Sequence, residues 1–202
     1  MPFINAAEVA ANFTQIKEQS QGGYLCIHKL PVTGGAVRFF ILSEESQIGQ
    51  EAWFKKLDGT GSISRRFKKA PSPALIAEYE KELAATIDHR EGKPPTNGYM
   101  AFFVYDYEAA AVKLLSITQT SVITAILNSV SDPDFQPLSD WDIEINRKGA
   151  LLETRYTVVL KKTLQRDPDV KAEVAAAWAE AQKAGFDLDQ HLLNGNPFGK
   201  SA

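Results

Sequence analysis

The strongest constraint on the fold lies between Asn97 and Lys162. Gly98–Tyr107 and Ala111–Ile117 are aromatic and β-branched runs with a short polar interruption, the mark of a hairpin. A second hairpin is expected from Trp141–Arg147 and Leu151–Leu160, turning at Lys148–Gly149. Between them, Thr120–Val130 sets Val122, Ile123, Ile126, Leu127 and Val130 on one helical face. Hairpin, helix, hairpin is the order found in the later part of an OB-fold barrel. The expected fold class is therefore mainly β with helices (α+β): an OB-fold-like Greek-key barrel with peripheral helices and a C-terminal helix plus tail.

The flanking segments divide the chain. Asn5 and Glu8 fit a helix N-cap and its N3 partner, and Val9, Phe13 and Ile16 repeat at helical spacing, so residues 1–22 read as an N-terminal helix. Tyr24–Leu30 and Ala36–Leu42 are β-rich runs around Pro31–Gly35, a hairpin or a corner. From Ser43 to Pro71 the apolar pattern dissolves and Gly59 and Gly61 suggest a flexible loop. Ser72 and Pro73 open a helix lined by Ile76, Tyr79, Leu83 and Ile87, closed by Gly92, Pro94 and Pro95. Residues 23–162 thus form the expected barrel domain, with a basic loop and helix inserted at 43–96. Residues 163–202 supply a helix opening at Asp167–Pro168, stopped by Gly185, and a tail.

Composition excludes several classes. A 202-residue chain with 44% hydrophobic and 23% charged residues has the makings of a globular core. No apolar run approaches the ~20 residues of a membrane span, and no basic-then-apolar leader opens the chain, so the cytoplasm is the expected compartment and no membrane the expected partner. One cysteine, Cys26, forbids an internal disulfide, and with only His28, His89 and His191 beside it the usual structural zinc spacing is missing. No cofactor is expected. A net charge of −3 restricts any nucleic-acid binding to a local basic patch.

Such a patch exists. Between Trp53 and Lys69 lie Lys55, Lys56, Arg65, Arg66, Lys68 and Lys69 against a single acid, Asp58, interleaved with Trp53, Phe54 and Phe67. Single-strand binders use that mixture: cations follow phosphates while aromatic faces stack on bases. The alternative is a solvated loop whose aromatics tuck into the core. In the strand Gly98–Tyr107, alternation sends Met100, Phe102, Val104 and Asp106 to one face and Tyr99, Ala101, Phe103, Tyr105 and Tyr107 to the other. The first set reads as barrel interior. The second is either an exposed stacking row, with Phe103, Tyr105 and Tyr107 as candidates, or a face packed under the Ser72–Arg90 helix. Arg147, Lys148, Arg155 and Lys161 on the second hairpin extend a phosphate path, unless Arg155 pairs with Glu144 or Glu153.

Enzymatic patterns are thin. Asp142 and Glu144 share a strand face without a third acid at matching spacing, and read as an outward polar face. No His accompanies a nucleophile in a known motif. Gly195–Ser201 imitates a Walker A loop but has three residues between its glycines where four are required.

Two runs, GYMAFFVYDYEAAAVKLLSITQTSVITAIL and WDIEINRKGALLETRYTVVL, give the chain a family likeness. It resembles the single-stranded-DNA-binding proteins of tailed bacteriophages over roughly Gly22–Lys162. There a strand ending in Asp and a turn precedes a VKLL-like strand, then a short helix, then a Trp/Tyr-Asp-Ile strand and a basic-Gly turn. The resemblance implies an OB-fold that coats single strands in DNA replication and recombination. The chain departs from that group in lacking the Cys/His cluster of its T-even branch. It also lacks a strongly acidic tail, since Phe186–Ala202 holds only Asp187 and Asp189 against Lys200. The tail's Phe186, Leu188, Leu192, Leu193 and Phe198 remain available to dock on a replication or recombination partner or on the barrel itself.

The resulting expectation is a non-enzymatic, sequence-independent single-stranded-DNA-binding protein. Its rivals are a small nuclease using Asp142, Glu144 and Asp106, and a protein-interaction module that meets no nucleic acid.

Overall fold

The computed structural model describes residues 23–88 and 94–199. The expected N-terminal helix and the glycine expected to close the Ser72 helix lie outside the described residues. The fold is α+β, built on one mixed, open sheet of nine strands: β1 (Tyr24–Leu25), β2 (Gly35–Ile41), β3 (Gln47–Lys56), β4 (Ser62–Phe67), β5 (Ala85–Ile87), β6 (Asn97–Asp106), β7 (Ala111–Ile117), β8 (Trp141–Lys148) and β9 (Arg155–Lys162). The described helices are α1 (Pro73–Glu82), α2 (Thr120–Ser131), α3 (Pro168–Lys183) and α4 (Leu188–Leu192). No described helix is long and apolar enough to cross a membrane.

The main path of the sheet is β1-β7-β6-β2-β8-β9. One edge of β6 is shared by two strands in succession. Phe39–Ile41 of β2 pairs with Val104–Asp106, and Gln47–Glu51 of β3 pairs with Asn97–Ala101. Gly49 is required at that second crossing, because a Cβ there would stand 2.4 Å from the Phe67 carbonyl oxygen and 2.8 Å from the Tyr99 ring. The β6–β7 hairpin and the helix after it fall where the sequence puts them. β8–β9 is a hairpin too, but its second strand starts at Arg155, not Leu151: Lys148 still pairs with Arg155 and Leu151–Glu153 is a 3-10 turn. The sheet does not close into a barrel. The outer edge of β7 takes β1 in parallel, and among the described residues β9 pairs only with β8.

Three segments differ from expectation. Tyr24–Leu30 makes only the short β1, and Ile27–Lys29 is a 3-10 turn, so no hairpin with β2 forms. The supposed loop at 43–71 is the antiparallel hairpin β3–β4. Its apolar signal is weak because β4 carries two serines and two arginines, Ser62 exposed and the other three half-buried. The Ser72 helix stops at Glu82, since Ala84 turns to φ +45° and Ala85–Ile87 becomes β5 against β3. Its entry is as expected: Ser72 Oγ accepts the Leu75 N–H at 3.2 Å with Pro73 in the first turn. Asp167 accepts the Asp169 N–H at 2.9 Å and Pro168 opens α3 in the same way.

Burial explains the layers. Met100, Phe102 and Val104 of β6 face a core with Val37, Phe39, Leu115, Ile143 and Ile145, covered by Val122 and Ile126 of α2. The opposite face of β6 and β7, with Tyr99, Ala101, Phe103 and Leu114, lies under Trp178 of α3 and under Phe186, Leu188, Leu192 and Phe198. A third cluster joins Ala52, Phe54, Phe67 and Ala85 to Ile76, Tyr79 and Leu83 beneath α1.

His191 of α4 sits fully buried between Tyr24 and Tyr99, ring centroids 6.0 and 5.9 Å away, with Nε2 3.3 Å from Ser116 Oγ. Burial, aided by the Arg66 charge, pushes its pKa down to about 3. Below the ordinary value of about 6.5 the unfolded chain takes a proton that the folded chain refuses. Stability should therefore decline as pH falls from about 6.5 toward about 3, with this group alone contributing up to about 1.4 kcal/mol per pH unit. Urea denaturation of the wild type and His191→Gln across that window should show a shallower slope for the variant; equal slopes would refute the assignment.

Candidate nucleic-acid interface

The basic segment is displayed by β3–β4. Glu51, Ala52, Trp53 and Lys55 oppose Arg66, Arg65, Ser64 and Ser62 across the ladder. At the turn, the Asp58 carboxylate accepts the Thr60 N–H at 2.9 Å and its hydroxyl at 2.7 Å, which holds that carboxyl below its usual range. Alternation gives the hairpin two faces. Ala52 and Phe54 turn toward α1, where the Phe54 and Phe67 rings lie 6.2 and 5.6 Å from Tyr79. Phe54 is wholly buried and Phe67 belongs to the same cluster, so neither is a stacking platform, contrary to the sequence expectation. Arg65 extends over the Tyr79 ring, 5.9 Å from its centroid.

The other face carries Glu51, Trp53 and Lys55. Trp53 is 43% exposed, its Nε1–H donating to Glu51 Oε2 at 3.1 Å, so the indole is pinned by one edge while its ring meets solvent. Lys55 pairs with Asp88 at 2.9 Å, both side chains well exposed. Lys68 and Lys69 follow β4 into solvent, and Lys56 is half-buried. Arg66 is different. Its guanidinium meets Glu51 at 3.0 Å, largely out of solvent, and its backbone N–H donates to Asn194 Oδ1 at 2.7 Å. It is a structural cation that fastens the C-terminal segment to the hairpin.

The aromatic row of β6 is not a platform. Phe103 is covered by Trp178 and Phe186, with ring centroids 5.7 and 5.5 Å away. Tyr105 is buried too, its hydroxyl donating to Glu173 Oε1 of α3 at 2.5 Å, and burial reinforced by that carboxylate raises its pKa. Tyr107 is half-buried, donates to Asp142 Oδ1 at 2.9 Å, and has a pKa pushed up to about 12, chiefly by burial. The cover comes from α3 and the tail, and the Ser72 helix lies on another part of the sheet. Val174, Trp178 and Ala181 recur at helical spacing in α3, a pattern readable in the sequence that signals this cover; Leu193 alone of the tail's noted apolar residues stays well exposed.

On the second hairpin, Arg147 Nη1 donates to the carbonyls of His28 and Leu30, clamping the 3-10 turn. Lys161 is held by Glu144 at 2.6 Å, which keeps that carboxyl below its usual range. Lys148 and Arg155 face each other across the ladder and are exposed. They do not join the first patch. β3–β4 lies beyond the Asn97 end of β6 while the β8–β9 tip lies beyond its Asp106 end, and β6 alone spans about 30 Å. The phosphate path expected to run on from the basic segment to the second hairpin is therefore replaced by two separate cationic regions.

The nuclease residues are also accounted for. Asp142, read from sequence as outward, is completely buried. Its carboxylate accepts from Arg38 Nε at 2.9 Å, Tyr107, Thr163 Oγ1 at 2.8 Å and the Leu164 N–H at 3.0 Å. Asp106 pairs with Lys113 at 3.2 Å and accepts turn N–H groups from Glu108 and Ala109. Among the described residues no three of His, Cys, Asp and Glu stand where they could share a metal ion. No protein-family profile matches the chain, and no curated protein or solved structure is significantly similar to it.

Asp142→Ala should lower stability by about 3–5 kcal/mol, because it leaves half-buried Arg38 together with Tyr107, Thr163 and the Leu164 N–H without their common acceptor. Glu144→Gln, at the half-buried Lys161 pair, should cost about 1 kcal/mol, since it keeps a hydrogen-bonding side chain beside Lys161. Urea midpoints of the two variants measure the difference, and equal small losses would show that Asp142 is not the anchor.

Proposed function

We propose that the chain binds single-stranded DNA without reading sequence, through the open face and exit of β3–β4, and that it does so without catalysis. The observation that carries the proposal is the Trp53 ring, exposed beside Lys55 with Lys56, Lys68 and Lys69 on the same hairpin, in a protein otherwise acidic. Trp53 offers one base a stacking surface, and the lysines follow the adjoining phosphates. The surface is short, so one copy contacts only a few nucleotides and leaves most of the sheet to other duties. A role in phage DNA replication or recombination is the setting suggested by the sequence resemblance. The phosphate contacts assigned from sequence to Arg66, Arg147 and Lys161 are withdrawn, since each of those cations is half-buried and held within the protein, unlike the exposed Lys55 pair.

The test is fluorescence anisotropy of labelled oligo-dT, oligo-rU and duplex at several salt concentrations. Four phosphate contacts give a slope of log affinity against log salt of about −3, and Lys68→Glu with Lys69→Glu should reduce its magnitude by about 1.4. Trp53→Ala should weaken dT binding by about 1–3 kcal/mol. Absence of dT binding at low salt, a preference for duplex, or indifference to Trp53→Ala would each sink the proposal.

A further inference from the structure

The turn between β8 and β9 projects two leucines straight into water. Leu151 and Leu152 are 93% and 95% exposed, on a 3-10 turn over Leu151–Glu153. Leu151 holds φ +51°, a left-handed conformation that leucine rarely adopts. Gly149 at φ +83° makes the bend, and its N–H donates to the Val32 carbonyl at 2.9 Å, which brings a third exposed apolar side chain alongside. Lys148 and Arg155 flank the tip from the last ladder pair. The result is an apolar knob with a cationic collar. Exposed leucines kept in a strained turn call for a receiving surface.

A matching recess exists at the other end of β2. Between the end of that strand and α2, Ile41, Phe102, Ile126, Leu127 and Val130 line an open apolar pocket of about 130 Å³, and exposed Glu44 and Glu45 stand on its rim. That space is in the range that takes up an apolar group the size of a benzene ring. Knob and recess are therefore complementary in polarity, in charge and in scale. They cannot meet within one molecule. The knob adjoins Gly35, which pairs with Arg147, while the recess adjoins Ile41, and the seven-residue strand between them spans about 20 Å.

We propose that the Leu151–Leu152 knob of one copy seats in the recess of a second copy, with Lys148 and Arg155 against Glu44 and Glu45. The pair then keeps one free recess on the first copy and one free knob on the second, so the contact is heterologous and repeats head to tail. This inference is independent of the single-strand reading.

Sedimentation velocity on the full chain free of nucleic acid, over a concentration series, tests it. Wild type should show average mass rising with concentration. The knob variant Leu151→Ser/Leu152→Ser and the recess variant Leu127→Arg, all at exposed positions, should each remain monomeric with unchanged circular dichroism. Mixing the two variants should restore a one-to-one complex and nothing larger, since each supplies the half the other lacks. A wild type that stays monomeric throughout overturns the proposal. So does self-association that survives in either variant, or a mixture that fails to form the complex.

Discussion

The structure depends on β6 being buried on both faces. From Tyr99 to Asp106 every residue is buried, so two apolar surfaces, one on each side of the same strand, both need a cover. The helix between the two hairpins supplies one, and α3 with the tail supplies the other. Once both are in place the sheet has little aromatic surface left for a ligand. What remains available is the part of the sheet that extends past β6, the β3–β4 hairpin and the β8–β9 tip.

A buried anion holds these layers in register. Asp142 on β8 receives hydrogen bonds from β2, from the turn after β6 and from the segment leading into α3. A carboxylate in so dry a place is tolerable only when such donors saturate it. At the opposite end of the sheet, Glu51 and Arg66 do similar work for the tail, with Asn194 bridging to the backbone of β4. Several charges that look from composition like surface available to ligands are thus internal fastenings.

Local pattern was the legible part. The β6–β7 and β8–β9 hairpins, the helix from Thr120 and the proline-led starts of α1 and α3 rest on period, turn chemistry and capping, all of which act over a few residues. Period-two alternation in Gly98–Tyr107 correctly divided its two faces. It could not say what lies on them, because the residues that bury Phe103 and Tyr105 are Trp178, Phe186 and Glu173, far along the chain. The β3–β4 hairpin was missed for a related reason: its ladder pairs Ser62, Ser64, Arg65 and Arg66 with β3, and such residues announce a loop when read alone. Barrel closure is a property of strands that never adjoin in sequence, and here β1 takes the outer edge of β7.

The distance in sequence between β6 and its second cover has a further consequence. Glu173, which anchors Tyr105, lies 68 residues downstream, and Leu192 and Phe198 come later still. As the chain emerges during synthesis, β6 and its partner β7 are complete well before that cover exists, and their aromatic side stays wet in the interval. Final docking of α3 and the tail is then a late, long-range closure, costly in loop entropy and favoured by the dry rings it buries. Until that step a nascent chain resembles a half-roofed sheet, and chaperones that recognise exposed aromatics have their opportunity there.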